Sequence, residues 1–224
     1  MTTILHIETA TKVCSVALSV DGELKQLQEL KDDGYAHGEK LTILIQQVLE
    51  LEKITTEQLS AVSVSAGPGS YTGLRIGVST AKGLCYALGI PLIAVGTLES
   101  MAALGKINYP HLNLCPMIDA RRMEVFSLLV DAQGTILKPA SADVLDETTY
   151  QAFEPFVCFG DGAPKMQEWW TNRSITFDLG LEPSAQGQVA LAFQKYTKQE
   201  FADVAYFEPD YLKEFYQAPV SKKN

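Results

Sequence analysis

The segment Gly67-Pro68-Gly69-Ser70-Tyr71-Thr72-Gly73-Leu74-Arg75-Ile76-Gly77 is the stretch whose composition most suggests chemistry. A strand, a glycine turn and a helix in that order aim backbone N–H groups at an anion such as a phosphate. The spacing departs from the known phosphate loops. No Gly-Lys-Ser/Thr triplet occurs, and Gly67, Gly69 and Gly73 are spaced G-x-G-x-x-x-G rather than G-x-G-x-x-G. The stretch therefore reads first as a tight turn with Ser70 or Thr72 capping a helix, and second as a nucleotide loop. Metal chemistry has little to draw on. The histidines are His6, His37 and His111, and none has another histidine three to five residues away. His6 lies between Leu5 and Ile7 in a strand, which suits a structural role, and His37 stands at a helix start, which suits capping or an interface. No G-x-S-x-G elbow is present, although spacing alone leaves a Ser/His/Asp triad open. Asp119-Ala120-Arg121-Arg122 is a polar corner between two strands. It reads either as a turn with a local ion pair or as part of the lining of a cleft between lobes.

These groups are positioned by a regular series of elements. Residues 4–8, 13–20 and 23–30 read as three antiparallel strands, with Asp21-Gly22 as a hairpin turn. Leu41, Leu44, Ile45, Val48 and Leu49 recur at helical spacing and predict a helix from about Ala36 to Leu51. A buried strand at 61–66 leads through the glycine turn into a second helix that ends near Leu88, with Gly89 as its stop. A strand at 91–95 and a short helix at 97–104 follow. The pattern then restarts with strands at 112–119 and 123–130, and a turn at 131–134. Further on come a strand at 157–160, a Trp-rich helix near 163–171, a strand at 174–179 and a last helix from Ser184 to Lys198. The final Lys222-Lys223-Asn224 reads as a frayed tail. The order implies two mixed sheets with helical crossovers and two lobes without a linker.

The second helix has two faces that are not charged. Leu74, Val78, Ala81, Cys85 and Leu88 form one apolar stripe, and the opposite face carries Gly73, Ile76, Thr80, Gly83 and Ala87. Small side chains permit close helix–helix approach. The first helix carries a weaker second face of Ala36, Ile43, Gln47 and Leu51. Either another element of the chain or a partner protein must cover these faces.

Composition narrows the partners. Eighteen basic and 27 acidic residues leave a net charge of −9, and both halves of the chain are acidic. That disfavours a free-standing nucleic-acid binder or a protein held on an anionic membrane. Nothing approaches the ~18 consecutive apolar residues of a membrane span. The start lacks the basic and long apolar regions of a signal peptide. Cys14, Cys85, Cys115 and Cys158 are scattered without a C-x-x-C pair. Together these features predict a reducing cytoplasm.

Four segments carry a resemblance in order along the whole chain: ILHIETATKVCSVAL, HGEKLTILIQQVL, GPGSYTGLRIGVSTAKGL and IDARRMEVF. They resemble the TsaB (YeaZ) family. The resemblance implies an α/β protein of two ribonuclease-H-like lobes of the actin- and sugar-kinase-like (ASKHA) type. The first lobe would span 1–100 and the second 101–224, with a C-terminal tail that could return to the first. It implies a non-catalytic scaffold for the metalloenzyme TsaD, joined by the ATPase TsaE, in forming threonylcarbamoyladenosine beside the tRNA anticodon. ATP or ADP and metal would sit on the partner subunits, and tRNA would be met only indirectly. The paired metal histidines of TsaD correspond to Thr97 and Met101, a poor ligand pair for iron or zinc. Glu8 stands where other members carry Asp. The family's partner contact through the first two helices implies that Ile43, Gln47, Gly73, Ile76, Thr80, Gly83 and Ala87 pack against TsaD, or against a second copy in the isolated protein. Two other readings stand beside this one: an ATP-binding phosphotransferase or ATPase of the same fold, and a peptidase acting on its partner.

Overall fold

The computed structural model describes residues 1–31 and 37–213. Ala36 and the Lys222-Lys223-Asn224 end therefore lie outside the described residues. The first lobe begins with β1 (Thr3–Glu8), β2 (Val13–Val20) and β3 (Glu23–Lys31), followed by α1 (His37–Glu52) and β4 (Ala61–Ser65). It continues with α2 (Tyr71–Leu88) and β5 (Leu92–Val95). The sheet order is β3-β2-β1-β4-β5, with β1, β2 and β3 antiparallel and β4 and β5 parallel to β1. The second lobe comprises α3 (Thr97–Asn108), β6 (Asn113–Asp119), β7 (Glu124–Val130), β8 (Ile136–Val144), β9 (Phe156–Phe159) and β10 (Ile175–Asp178). Its sheet, β10-β9-β6-β7-β8, repeats the first in strand order and direction. The expected pair of ribonuclease-H-like lobes is what the chain builds.

Local sequence accounts for most element ends. Asp21 and Gly22 both take positive φ, 51° and 83°, as a two-residue hairpin turn of the primed type requires. Ser70 caps α2 by accepting a hydrogen bond from Gly73 N, and Gly89 ends it in the left-handed conformation. Two expected helices differ. The Trp-rich segment forms only a short 3-10 turn, Ala163–Met166, followed by non-helical turns. Pro164 gives no backbone donor there, and Trp170 turns into the core against Tyr150 and Phe156. The last helix is split into a 3-10 turn, Ala185–Gln188, and α4 (Val189–Lys198). A side chain at Gly187 would collide with Ser100 O, so the 3-10 turn packs its backbone directly on α3.

The lobes exchange segments on both sides of residue 100. Leu98, Met101 and Ala102 of α3 pack in the second lobe, whereas Ala192 of α4 packs with Ile4, Ala61, Ile93 and Val95 of the first sheet. The first lobe is thus discontinuous, completed by the return of the chain after β10. That return explains why β2 is buried throughout its first seven residues although its side chains alternate. One face of the sheet meets α1 and α2, and the other meets residues 185–198.

The second face is joined by a polar seam. His6 Nδ1 and Nε2 lie 2.7 Å from Ser63 Oγ and Ser19 Oγ. Ser63 Oγ donates to Gln188 Oε1 (2.7 Å), and Gln188 Nε2 donates to Ile7 O (2.8 Å). With the Ser63 proton committed to Gln188, His6 Nδ1 must carry the donor hydrogen and Nε2 accept from Ser19. Burial holds the His6 imidazole down to about 3. Replacing Gln188 by Leu keeps the volume but strands Ser63 and the Ile7 carbonyl. Urea denaturation should register a loss of roughly 2–4 kcal/mol, because buried unsatisfied groups cost about 1–3 kcal/mol each.

Candidate functional site

The glycine turn is shaped by the chain itself. Ser70 N donates to Ala10 O (2.6 Å), and Thr97 N donates to Gly67 O (2.8 Å). A side chain on Gly73 would lie 2.1 Å from Thr9 O, and Thr9 Oγ1 donates to Gly73 O (2.8 Å). Gly67, at φ +103°, has Asp210 O only 1.9 Å from where a Cβ would stand. Backbone packed on backbone accounts for these glycines, in keeping with the tight-turn reading. The sequence carried no sign that residues 9–10 and 210 were the segments being accommodated.

Between the lobes lies a cleft of about 720 Å³. Thr11 and Lys12 from the β1–β2 turn, Ser70 and Thr72 from the start of α2, and Asp119, Arg121 and Asp161 from the second lobe line it. The corner is a turn that lines the cleft, but its ion pair is not local. Asp119 Oδ1 accepts from Arg121 N (2.6 Å) and from Lys165 Nζ (2.5 Å), while its residues face the cleft. The ion-pair partner is Lys165, 46 residues further along the chain, rather than either nearby arginine. Partial burial pushes the Asp119 carboxyl up, but Lys165 and the Arg121 amide outweigh it and hold it below its usual value. Asp161, which accepts from Asp119 N, is pushed up by burial.

Glu8 sits behind this cleft and is fully buried. Its Oε1 accepts from Ala10 N (2.7 Å), and its Oε2 has no hydrogen-bond partner among the described residues. Burial raises its carboxyl to about 7, against weaker opposing hydrogen bonds. Thr97 and Met101, at the start of α3, are buried as well. Thr97 Oγ1 is without a hydrogen-bond partner among the described residues, and the Met101 methyl packs on Gly160. A buried hydroxyl with a soft thioether is a poor ligand pair for iron or zinc. Among the described residues no three His, Cys, Asp or Glu side chains gather as ligands. His6 pairs with two serines, but it is sealed from solvent and its basicity is suppressed, which suits structure rather than nucleophile activation. His37 is buried at the head of α1, 2.7 Å from Thr11 O through Nε2.

The helical face divides. Gly73 faces inward under Thr9 and leaves the set of surface candidates. Ile76 is half-buried against the core. Thr80 is half-buried, Gly83 and Ala87 are exposed, and nothing lies within 4 Å of a Cβ built on Gly83. Ile43 and Gln47 are exposed on α1, but the shallow groove beside Thr80 is lined by Thr42, Ile45, Gln46 and Leu49. Successive residues are about 100° apart around a helix, so Gln47 is turned from that groove, whereas Ile43 lies on the side of Glu50 at its rim.

Comparison with known proteins places this architecture. The family described as "TsaD: tRNA N6-adenosine threonylcarbamoyltransferase" matches residues 33–218. The chain is 29% identical to the tRNA threonylcarbamoyladenosine biosynthesis protein TsaB of Escherichia coli K12, over 94% of each chain. The chain belongs to this family, on its TsaB (YeaZ) branch. YeaZ from Pseudomonas aeruginosa superposes with a TM-score of 0.80 at 25% identity, over 95% of this chain and all of that one. A tRNA N6-adenosine threonylcarbamoyltransferase from Shouchella clausii is 25% identical over 80% of this chain but only 58% of its own length. Family membership assigns the chain a role in tRNA threonylcarbamoyladenosine biosynthesis. No helix among the described residues is long and apolar enough to cross a membrane.

Glu8 also sets a pH response. The fold favours its protonated form, so stability is lost as pH rises from about 4.5, the ordinary value, through about 7. Glu8→Gln should flatten that limb of the stability curve. At pH 8 the variant should exceed the parent by on the order of 2–3 kcal/mol in urea denaturation.

Proposed function

We propose that this chain is a non-catalytic subunit that docks on a TsaD-type threonylcarbamoyltransferase and activates it for tRNA N6-threonylcarbamoyladenosine formation. The observation that carries the reading is the outer face of α2. Thr80 lines an apolar groove of about 410 Å³ between α1 and α2, Gly83 lines a second groove beside the 86% exposed Tyr86, and Ala87 is exposed one turn further on. A helix with this face can be approached closely by another helix. The same surface would pair two copies when the partner is absent. The ATPase TsaE completes the assembly in this reading, with ATP and metal on the partner subunits and the cytoplasm as its site of action.

The charge supports the division of labour. At net −9 the chain is poorly suited to neutralise phosphates, so the tRNA-binding surface belongs to the other subunits. The chemistry of the cleft supports it too. Glu8 is enclosed, Asp119 is committed to Lys165, and Thr97 and Met101 offer no ligand pair. One observation favours a second reading, an ATP-binding enzyme: Lys12, Arg121 and the start of α2 face a common cleft. Strong thermal stabilisation of the isolated chain by ATP and magnesium would favour it, since a ligand stabilises the state it binds.

Reconstitution decides between them. Modification of tRNA by TsaD and TsaE should require this chain, and full activity without it would refute the subunit reading. Gly83→Trp and Thr80→Trp should each weaken association with TsaD at least 100-fold in a binding titration while leaving the folded spectrum unchanged. Gly83→Ala should bind normally and gain about 1 kcal/mol of stability from helix propensity. Undiminished binding of the tryptophan variants would remove α2 from the interface.

A further inference from the structure

After α4 the chain runs back over the first lobe and then reaches the second. Ala202 bridges Leu92 at the edge of the first sheet, and Val204 and Phe207 pack against the core that includes α2. Lys82 Nζ of α2 donates to Ala205 O (3.0 Å) and Phe207 O (3.1 Å). Asp210 N donates to Ala66 O (2.7 Å), and the Asp210 carbonyl fills the space that only a glycine at 67 leaves open. Tyr211 stacks against Tyr71 with ring centroids 4.9 Å apart. The next two residues change lobe. Leu212 packs with the cluster containing Ile118 and Phe126, and Lys213 pairs with Glu124 on β7. Tyr71, Ile118 and Phe126 all line the interlobe cleft.

We propose that residues 203–213 are a latch that sets the opening of this cleft. The lobes are otherwise joined where β5 runs into α3 and where residues 179–188 return from β10, so a third tether along the cleft restricts their rotation. The two ends of the latch are unequal. Its attachment to the first lobe uses hydrogen bonds at the backbone of Ala205, Phe207 and Asp210 together with two partly buried apolar side chains, Val204 and Phe207. Its attachment to the second uses a partly buried leucine and an ion pair whose lysine is half-exposed. Exposed ion pairs are weak and screened by salt. The latch therefore opens from the Leu212–Lys213 end while its first-lobe half stays seated.

The test places spin labels on the full chain at Glu50→Cys and Glu168→Cys, one exposed site on each lobe; the four native cysteines are buried. Double electron–electron resonance should give one narrow interlobe distance at low salt. In Leu212→Ser/Lys213→Glu the distribution should broaden and shift, with hydrogen exchange at least tenfold faster at 211–213 and little changed at 203–209. Lys213→Glu alone should have a smaller effect, reversed in the charge-swapped Glu124→Lys/Lys213→Glu pair. An unchanged interlobe distribution in the double variant overturns the latch. So does a swapped pair that behaves like Lys213→Glu.

Discussion

The hydrogen bonds of one buried glutamine hold the two halves of the first lobe together. Gln188 arrives from the far side of the second lobe, donates to the Ile7 carbonyl on the central strand, and accepts from Ser63 on the neighbouring strand. His6 and Ser19 extend the chain of bonds across the sheet. Such a network stabilises only when every member is satisfied, and a single missing partner exposes the full cost of burying the others. Its position explains why serines and a histidine occupy a fully buried sheet face where aliphatic side chains would otherwise be expected. It also commits the chain to leave the first lobe, build the second, and return.

That return gives the glycine turn its form. Strand, glycines and helix would suit a phosphate, yet the approaching groups are the Thr9 and Asp210 carbonyls, with Ala10 O taking the Ser70 amide. The two lobes repeat the same strand order, but they use it differently. In the first, helices cover both faces of the sheet. In the second, short 3-10 turns replace the crossover helices after β8 and β9, and an aromatic cluster of Tyr150, Phe156 and Trp170 supplies the core instead. The smaller lobe therefore presents no counterpart of the α1–α2 pair among the described residues, which concentrates the candidate docking surface on one side of the molecule.

The acidic balance takes on a different meaning in this setting. A net charge of −9 disfavours direct capture of RNA, yet the family acts in tRNA modification. The proposed function reconciles the two by giving nucleic-acid contact and support of the enzyme to different chains. In the cleft Asp119 is engaged with Lys165 and Asp161 with the Asp119 amide, and Glu8, the carboxyl at the end of the central strand, is enclosed and biased toward its neutral form.

By itself the sequence determined the strands, the caps and the periodic helices, because alternation, Asp21-Gly22, Ser70 and Gly89 act within a few residues of themselves. The segments carrying the family resemblance likewise led to the fold and pathway. Local signals failed where a distant segment decided the outcome. The Trp-rich stretch turned inward because its tryptophan was needed in the core, and the last helix broke where Gly187 crosses Ser100. Gly73 had the spacing of a surface residue, but Thr9 from another turn lies on it. Gln188 had no signal at all, since its partner at Ile7 is 181 residues away. Only tertiary structure could decide these positions, because contact between remote segments depends on how two sheets stack and where the returning chain crosses them, and neither is written in any local pattern.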